Sequence, residues 1–153
     1  MYEFLHYQVR DVMTPNPLTI RPDVTFADAQ AIFEEHDFNG LPVVDGTDRL
    51  VGFFTKLDLL KAFVFTEDTK LPHYEAIMCQ NVSQVMVKKV DIFYPETPLT
   101  RVLEKMIETR NKSYPVVFDN RVLGVVARED VLRALHQAGR REPPARLTSS
   151  DLG

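Results

Sequence analysis

The 153-residue chain has one cysteine, no tryptophan and only six glycines. Cys79 alone can close no intramolecular disulfide and supplies no multi-thiolate metal site; with no recognisable signal peptide, this points to a reducing, cytoplasmic setting. Long apolar runs are missing too. Leu57 to Phe65 is interrupted by Lys61, far short of the roughly 20 residues a spanning helix needs, so no membrane insertion is expected. Nor is there an excess of positive charge: 18 Lys and Arg stand against 22 Asp and Glu, a net charge of -4, so no global field exists to hold duplex DNA or an anionic membrane surface. Gly-rich phosphate-loop signatures are absent. His6, His36, His73 and His136 are scattered and Cys79 has no motif-level partner, so catalysis is not expected. What remains is 44% hydrophobic and 26% charged residues, the balance of an ordinary globular domain.

The chain also repeats itself. Val12-Met13 matches Val85-Met86 at an offset of 73, and the same offset places Ile20 on Phe93, Pro22 on Pro95 and Pro42-Val43-Val44 on Pro115-Val116-Val117. After one deletion the offset becomes 72, which superimposes Gly52 on Gly124, Asp58 on Asp130 and Leu60 on Leu132. Each copy, at about 55 to 60 residues, is marginal alone, so the two are expected to share one core.

Each copy reads as a short strand, a helix, two strands and a second helix, an α+β pattern. In copy one Leu18 to Ile20 is strand-like, and Thr25 with Asp28 opens a helix whose inward stripe is Ala29, Ile32, Phe33 and His36, ended by Gly40. Leu41 to Val44 and Leu50 to Phe54 form a hairpin across Asp45-Gly46-Thr47-Asp48, and a helix follows from Thr55 to about Phe65. In copy two Thr97 is the expected N-cap with Pro98 in the first helical position, and Leu99, Val102, Leu103, Met106 and Ile107 the apolar face. Strands Tyr114 to Phe118 and Val122 to Val126 flank Asp119-Asn120, before a helix from about Arg128 to Ala138. The resulting division is 1–65 for the first unit, 66–81 for a linker containing a short helix around Tyr74 to Met78, 82–138 for the second unit, and 139–153 for a polar, Pro-containing, disordered tail.

Both copies resemble the cystathionine-β-synthase (CBS) domain, here as a tandem pair of the kind called a Bateman module. The resemblance rests on V-M-T at Val12 to Thr14, G-L-P-V-V at Gly40 to Val44 and G-x-x-T-x-x-D at Gly52 to Asp58, and on their weaker recurrence in copy two. It implies two βαββα units packed sheet to sheet about a pseudo-two-fold axis, with two related clefts, adenosine-containing ligands and pairing into homodimers. It also implies that each cleft is composite. The Asp58 cleft would be lined by Met86, Lys89 and Asp91 with Asn111 and Lys112 at its mouth; the Asp130 cleft would be met by Met13, Asn16 and Leu18, with Phe38 and Asn39 alongside.

The chemistry of these residues bears on that reading. Thr55, Lys56 and Asp58 sit where a strand end meets a helix start: the hydroxyl and free N-H groups suit a phosphate, and the carboxylate can accept from both ribose hydroxyls. A plain Thr-x-x-Asp capping box accounts for the same residues. In copy two the segment Val125, Val126, Ala127, Arg128, Glu129, Asp130 keeps the aspartate but loses the threonine, so one phosphate donor is gone and Arg128 is the candidate to compensate. Met13, Met86 and Leu18 offer an adaptable apolar slot for a purine, and Lys89 and Lys112 could neutralise phosphate. Asp91 would repel a phosphate and favours ribose, base or a cationic ligand.

The favoured reading is a ligand-sensing regulatory module for AMP, ADP, ATP, S-adenosylmethionine or a related adenosyl ligand such as a cyclic dinucleotide, acting on an unidentified effector protein or through dimerisation. The alternative is a dimerisation scaffold with empty clefts. Single-stranded nucleic acid would need a basic track with stacking aromatics, and Arg140-Arg141 is too short to supply one.

Overall fold

The computed structural model describes residues 2–64 and 73–140. It contains six α-helices, α1 Val9–Val12, α2 Phe26–Glu35, α3 Lys56–Lys61, α4 Tyr74–Met78, α5 Leu99–Thr109 and α6 Arg128–Arg140. Five strands accompany them, β1 Thr14–Pro15, β2 Gly40–Val44, β3 Leu50–Thr55, β4 Ser113–Phe118 and β5 Arg121–Ala127. Short 3-10 turns cover Tyr2–His6 and Val82–Gln84.

The repeat is visible in the pairing. In one sheet β1 runs antiparallel to β5, Thr14 opposite Val125, β5 pairs with β4, and Phe93 makes a parallel bridge to Val116. In the other, Val87 bridges antiparallel to Phe53 on β3, β3 pairs with β2, and Ile20 bridges parallel to Val43. β1 of copy one and Val87 of copy two thus each join the sheet of the other copy. Close approach at these crossings requires glycine. A Cβ on Gly52 would lie 2.6 Å from the sulfur of Met86, and one on Gly124 would lie 2.7 Å from that of Met13.

The hairpins follow their turn chemistry. Asp119 and Asn120 both have positive φ, 52° and 61°, the two-residue loop whose twist matches its strands. Asp45 organises the other loop by accepting from the Thr47 amide, the Thr47 hydroxyl and the Arg49 amide, which hold its carboxyl below the usual range. The two tips meet, Leu50 N donating to the Asn120 carbonyl at 2.9 Å.

Instead of one shared core there are two. One gathers Ile20, Phe26, Ala29, Phe33, Leu41, Val43, Phe54 and Leu59 of copy one with Ile77, Met78 and Val82 from the segment leading into copy two. The other gathers Phe93, Leu99, Val102, Met106, Tyr114, Val126 and Val131 of copy two with Phe4 and Val9 from the segment leading into copy one. Each core therefore takes in residues from the start of the opposite unit, and the first also from the linker before it.

Several local expectations are corrected. Thr97 is not the cap of α5: Pro98 occupies that position, and the Thr97 hydroxyl accepts instead from Tyr94 N at 3.0 Å, closing the preceding turn. Ile107 is 72% exposed, because α5 presents only Leu99, Val102 and Met106 fully inward. His36 also faces out, ending α2 before Gly40, which opens β2. Only Ile20 of the Leu18–Ile20 run pairs as a strand residue. α6 continues through Gly139 and Arg140; the tail from 141 on, and linker residues 65–72, lie outside the described residues.

Candidate functional site

Two clefts lie between the sheets. The first, about 310 Å³, is lined from copy one by Asn39, Phe53, Thr55, Lys56, Leu57, Asp58 and Lys61. Copy two contributes Val87, Lys89, Val90, Asp91 and the run from Arg110 to Pro115. The second, about 320 Å³, is lined by Thr14, Asn16, Pro17, Leu18 and the run from Asp37 to Pro42. Ser113, Val125, Ala127, Glu129 and Asp130 complete it.

In the first cleft Asp58, 2% exposed, is held by α3's capping box. Its Oδ2 accepts from Thr55 N and the Thr55 hydroxyl, both at 2.9 Å, and its own amide donates to the Thr55 hydroxyl at 3.2 Å. The hydroxyl that the sequence offered to a phosphate is therefore engaged in the cap. Asp58 Oδ1 lies 3.8 Å from Lys61 Nζ. Asp91, expected to repel phosphate, lies 3.8 Å from Lys105 Nζ, which offsets its charge. Five cationic side chains, Lys56, Lys61, Lys89, Arg110 and Lys112, line this cleft against two carboxylates. Tyr114 forms part of its wall; burial pushes its phenol up, and its hydroxyl is tied to Thr109 Oγ1 and the Lys105 carbonyl.

The second cleft repeats the geometry without the charge. Asp130, 7% exposed, accepts from Ala127 N at 2.8 Å and from Arg133 at 3.3 Å, so half the capping box survives without a threonine. Burial, only partly countered by these bonds, raises its carboxyl above the ordinary range. Its charged lining residues are Asp37, Glu129 and Asp130, with no Lys or Arg. Arg128 does not compensate. Its guanidinium turns away to the carbonyls of Arg110 and, at 3.3 Å, Asn111, which belong to the wall of the first cleft.

Of the residues named from sequence, Thr55, Lys56, Asp58, Lys89, Asp91, Asn111 and Lys112 come together in the first cleft. Asn16, Leu18, Phe38, Asn39, Val125, Ala127 and Asp130 come together in the second. Met13 and Met86 line neither; their side chains lie against Gly124 and Gly52. Sequence reasoning missed Lys61, Arg110, Ser113, Tyr114, Asp37 and Glu129. Ser113 was accessible to it, since the repeat offset of 73 places it on Gly40.

Comparison with known proteins agrees with this architecture. The CBS domain family model matches residues 9–65 and 82–137.

The chain belongs to the CBS domain family.

Among solved structures, the CBS domain pair of protein MJ0100, crystallised with 5'-methylthioadenosine and S-adenosyl-L-methionine, is 28% identical with a TM-score of 0.72, covering 86% of this chain and 98% of that one. The structure of CBSX2 in complex with AMP is 31% identical with a TM-score of 0.75, covering 88% and 99%. Among curated relatives, the L-aspartate semialdehyde sulfurtransferase of Methanocaldococcus jannaschii is 29% identical over 82% of this chain. The CBS chain spans only 22% to 26% of the length of that enzyme and of the two similar homoserine O-acetyltransferases. Among the described residues no helix is long and apolar enough to cross a membrane.

Proposed function

We propose that this CBS pair is a ligand-sensing regulatory module that binds an adenine nucleotide in the Asp58 cleft. The observation that carries the reading is the cleft's pairing of a buried carboxylate, Asp58, with five surrounding cations. The carboxylate suits vicinal ribose hydroxyls, and the cations suit a phosphate. CBS pairs of similar fold crystallised with AMP or with S-adenosyl-L-methionine support the adenosyl part of the ligand. The purine would lie against Phe53, Val87 and Pro115. Bound nucleotide touches both copies at once, so it can bias their relative geometry or the pairing of two chains. Leu60 and Leu132, repeat equivalents on α3 and α6, are 66% and 64% exposed and offer an apolar face for a homodimer or an effector protein.

Thermal unfolding against AMP, ADP, ATP, S-adenosylmethionine and cyclic dinucleotides tests the reading. A ligand at a hundredfold excess over its Kd adds about 2.7 kcal/mol of apparent stability. Asp58→Ala is expected to weaken AMP binding by about tenfold or more, whereas Asp130→Ala changes it by less than about twofold. Equal losses in calorimetric affinity would reject the assignment of the nucleotide to the Asp58 cleft. No shift with any ligand, in protein whose absorbance near 260 nm shows no retained nucleotide, would favour a ligand-free scaffold.

A further inference from the structure

The Asp130 cleft is formed as fully as its counterpart but carries the opposite charge. Its charged lining groups, Asp37, Glu129 and Asp130, are all acidic, and the one cation at the start of its helix, Arg128, is turned to the carbonyls of Arg110 and Asn111. A phosphate entering it would meet Asp37 and Glu129 with no cation among the lining residues, since Arg133, 3.3 Å from Asp130, offsets that carboxylate alone. The cleft nevertheless holds an unused polar group. Ser113 is 6% exposed, and its hydroxyl has no hydrogen-bond partner among the described residues. Ser113 lies directly opposite Ala127 in the β4–β5 register, so both side chains rise from the same face of the sheet, the face that Val125 and Ala127 turn to this cleft.

The repeat explains how the hydroxyl arrived there. The equivalent pair in copy one is Gly40 opposite Thr55. A Cβ on Gly40 would lie 2.7 Å from the Phe53 ring and 3.1 Å from Thr55 Cγ2, so copy one has no room for a side chain there, whereas copy two has the smaller Val125 in place of Phe53. Copy one places its hydroxyl on the helix side and leaves the strand bare; copy two places it on the strand and shrinks the helix side to alanine.

We propose that the Asp130 cleft binds an adenine nucleoside lacking phosphate, neutral or cationic, with Asp130 taking the ribose hydroxyls and Ser113 supplying a further hydrogen-bonding group. This rests on the adenosyl reading above and adds that the two clefts sort ligands by charge. A leftover buried hydroxyl would be eliminated at no loss by alanine; one retained for a ligand gains its partner on binding, after a turn about its Cα–Cβ bond.

Adenosine and AMP, which differ only by the phosphate, are the probes. Amide NMR titrations of the full chain read the clefts separately, Val125 and Ala127 for one and Thr55 and Lys56 for the other. Adenosine is expected to saturate the Asp130 cleft with a Kd about tenfold or more below that of AMP, and the order reverses at the Asp58 cleft. Asp37→Asn with Glu129→Gln, both exposed positions, should narrow the discrimination at the Asp130 cleft. Ser113→Ala should weaken adenosine there about three- to tenfold. Its ligand-free Tm should equal or exceed that of the unmodified chain, which separates lost binding from lost folding. AMP binding the Asp130 cleft as tightly as adenosine overturns the inference, as does an adenosine affinity unmoved by Ser113→Ala. Occupancy of the Asp58 cleft by AMP with no response at Val125 and Ala127 also overturns it, leaving the nucleotide reading intact. No response at either cleft to either probe overturns both.

Discussion

Asp58 and Asp130 each line a cleft and cap a helix with one carboxylate oxygen, the other held within reach of Lys61 or Arg133. Capping and ligand binding are thus compatible uses of one side chain, and the sequence could not separate them because both need a carboxylate three residues into a helix. The environments differ, and that difference can be measured. Burial raises the Asp130 carboxyl in the folded chain, so the native state holds its proton to higher pH than the unfolded state. By linkage, stability from this group falls as pH rises from the ordinary value of 3.8 through the raised one. Asp130→Asn keeps an oxygen for the Ala127 amide and removes the titration. In urea unfolding the variant should therefore gain on the unmodified chain as pH rises above 3.8; a difference that stays constant with pH would show that Asp130 titrates normally.

At the scale of elements, what was legible had short-range causes. The Asp119-Asn120 loop, the β2–β3 hairpin and the apolar faces of α2 and α5 follow from turn chemistry and periodicity. Thr97 misled because a threonine before proline suits a helix cap and the close of the preceding turn equally, and only the position of Tyr94 decides. Arg128 misled for a longer-range reason. From sequence it begins the helix of the Asp130 cleft, but the chain places the end of α5 beside it, where Arg110 adopts a left-handed conformation at φ 62° and the turn's carbonyls accept its guanidinium. Arg128 is thereby a positioning residue for the wall that Arg110, Asn111 and Lys112 present to the Asp58 cleft. Arg128→Ala should weaken AMP there by about three- to tenfold and speed amide exchange at Arg110 to Lys112 in the ligand-free chain. Weaker binding without faster exchange would mean that Arg128 acts through its charge alone.

For the whole molecule, the internal repeat announced two units and their order, and both are present. It could not announce the exchange between them, because periodicity within a copy carries no information about which copy's sheet an opening strand joins. That exchange makes the two units mutually dependent. Phe4, 4% exposed, lies at the start of the first unit yet packs among Leu99, Val102, Met106 and Val131 of copy two, while Val82, at the start of the second unit, performs the reciprocal service for copy one. Truncating a buried phenylalanine costs about 3 to 5 kcal/mol. If the cores were one, Phe4→Ala would loosen all helices together. With two cores, amide exchange should accelerate first in α5 and α6, more than fifty residues away in sequence, while α2, far nearer in the chain, keeps its protection. Nucleotide seated between the copies should then restore α5 and α6, since each cleft wall is built from both units and binding couples their unfolding. Uniform acceleration in α2 and α5 would instead show that the sheets unfold as a single cooperative body, and that the borrowed segments stabilise the whole pair.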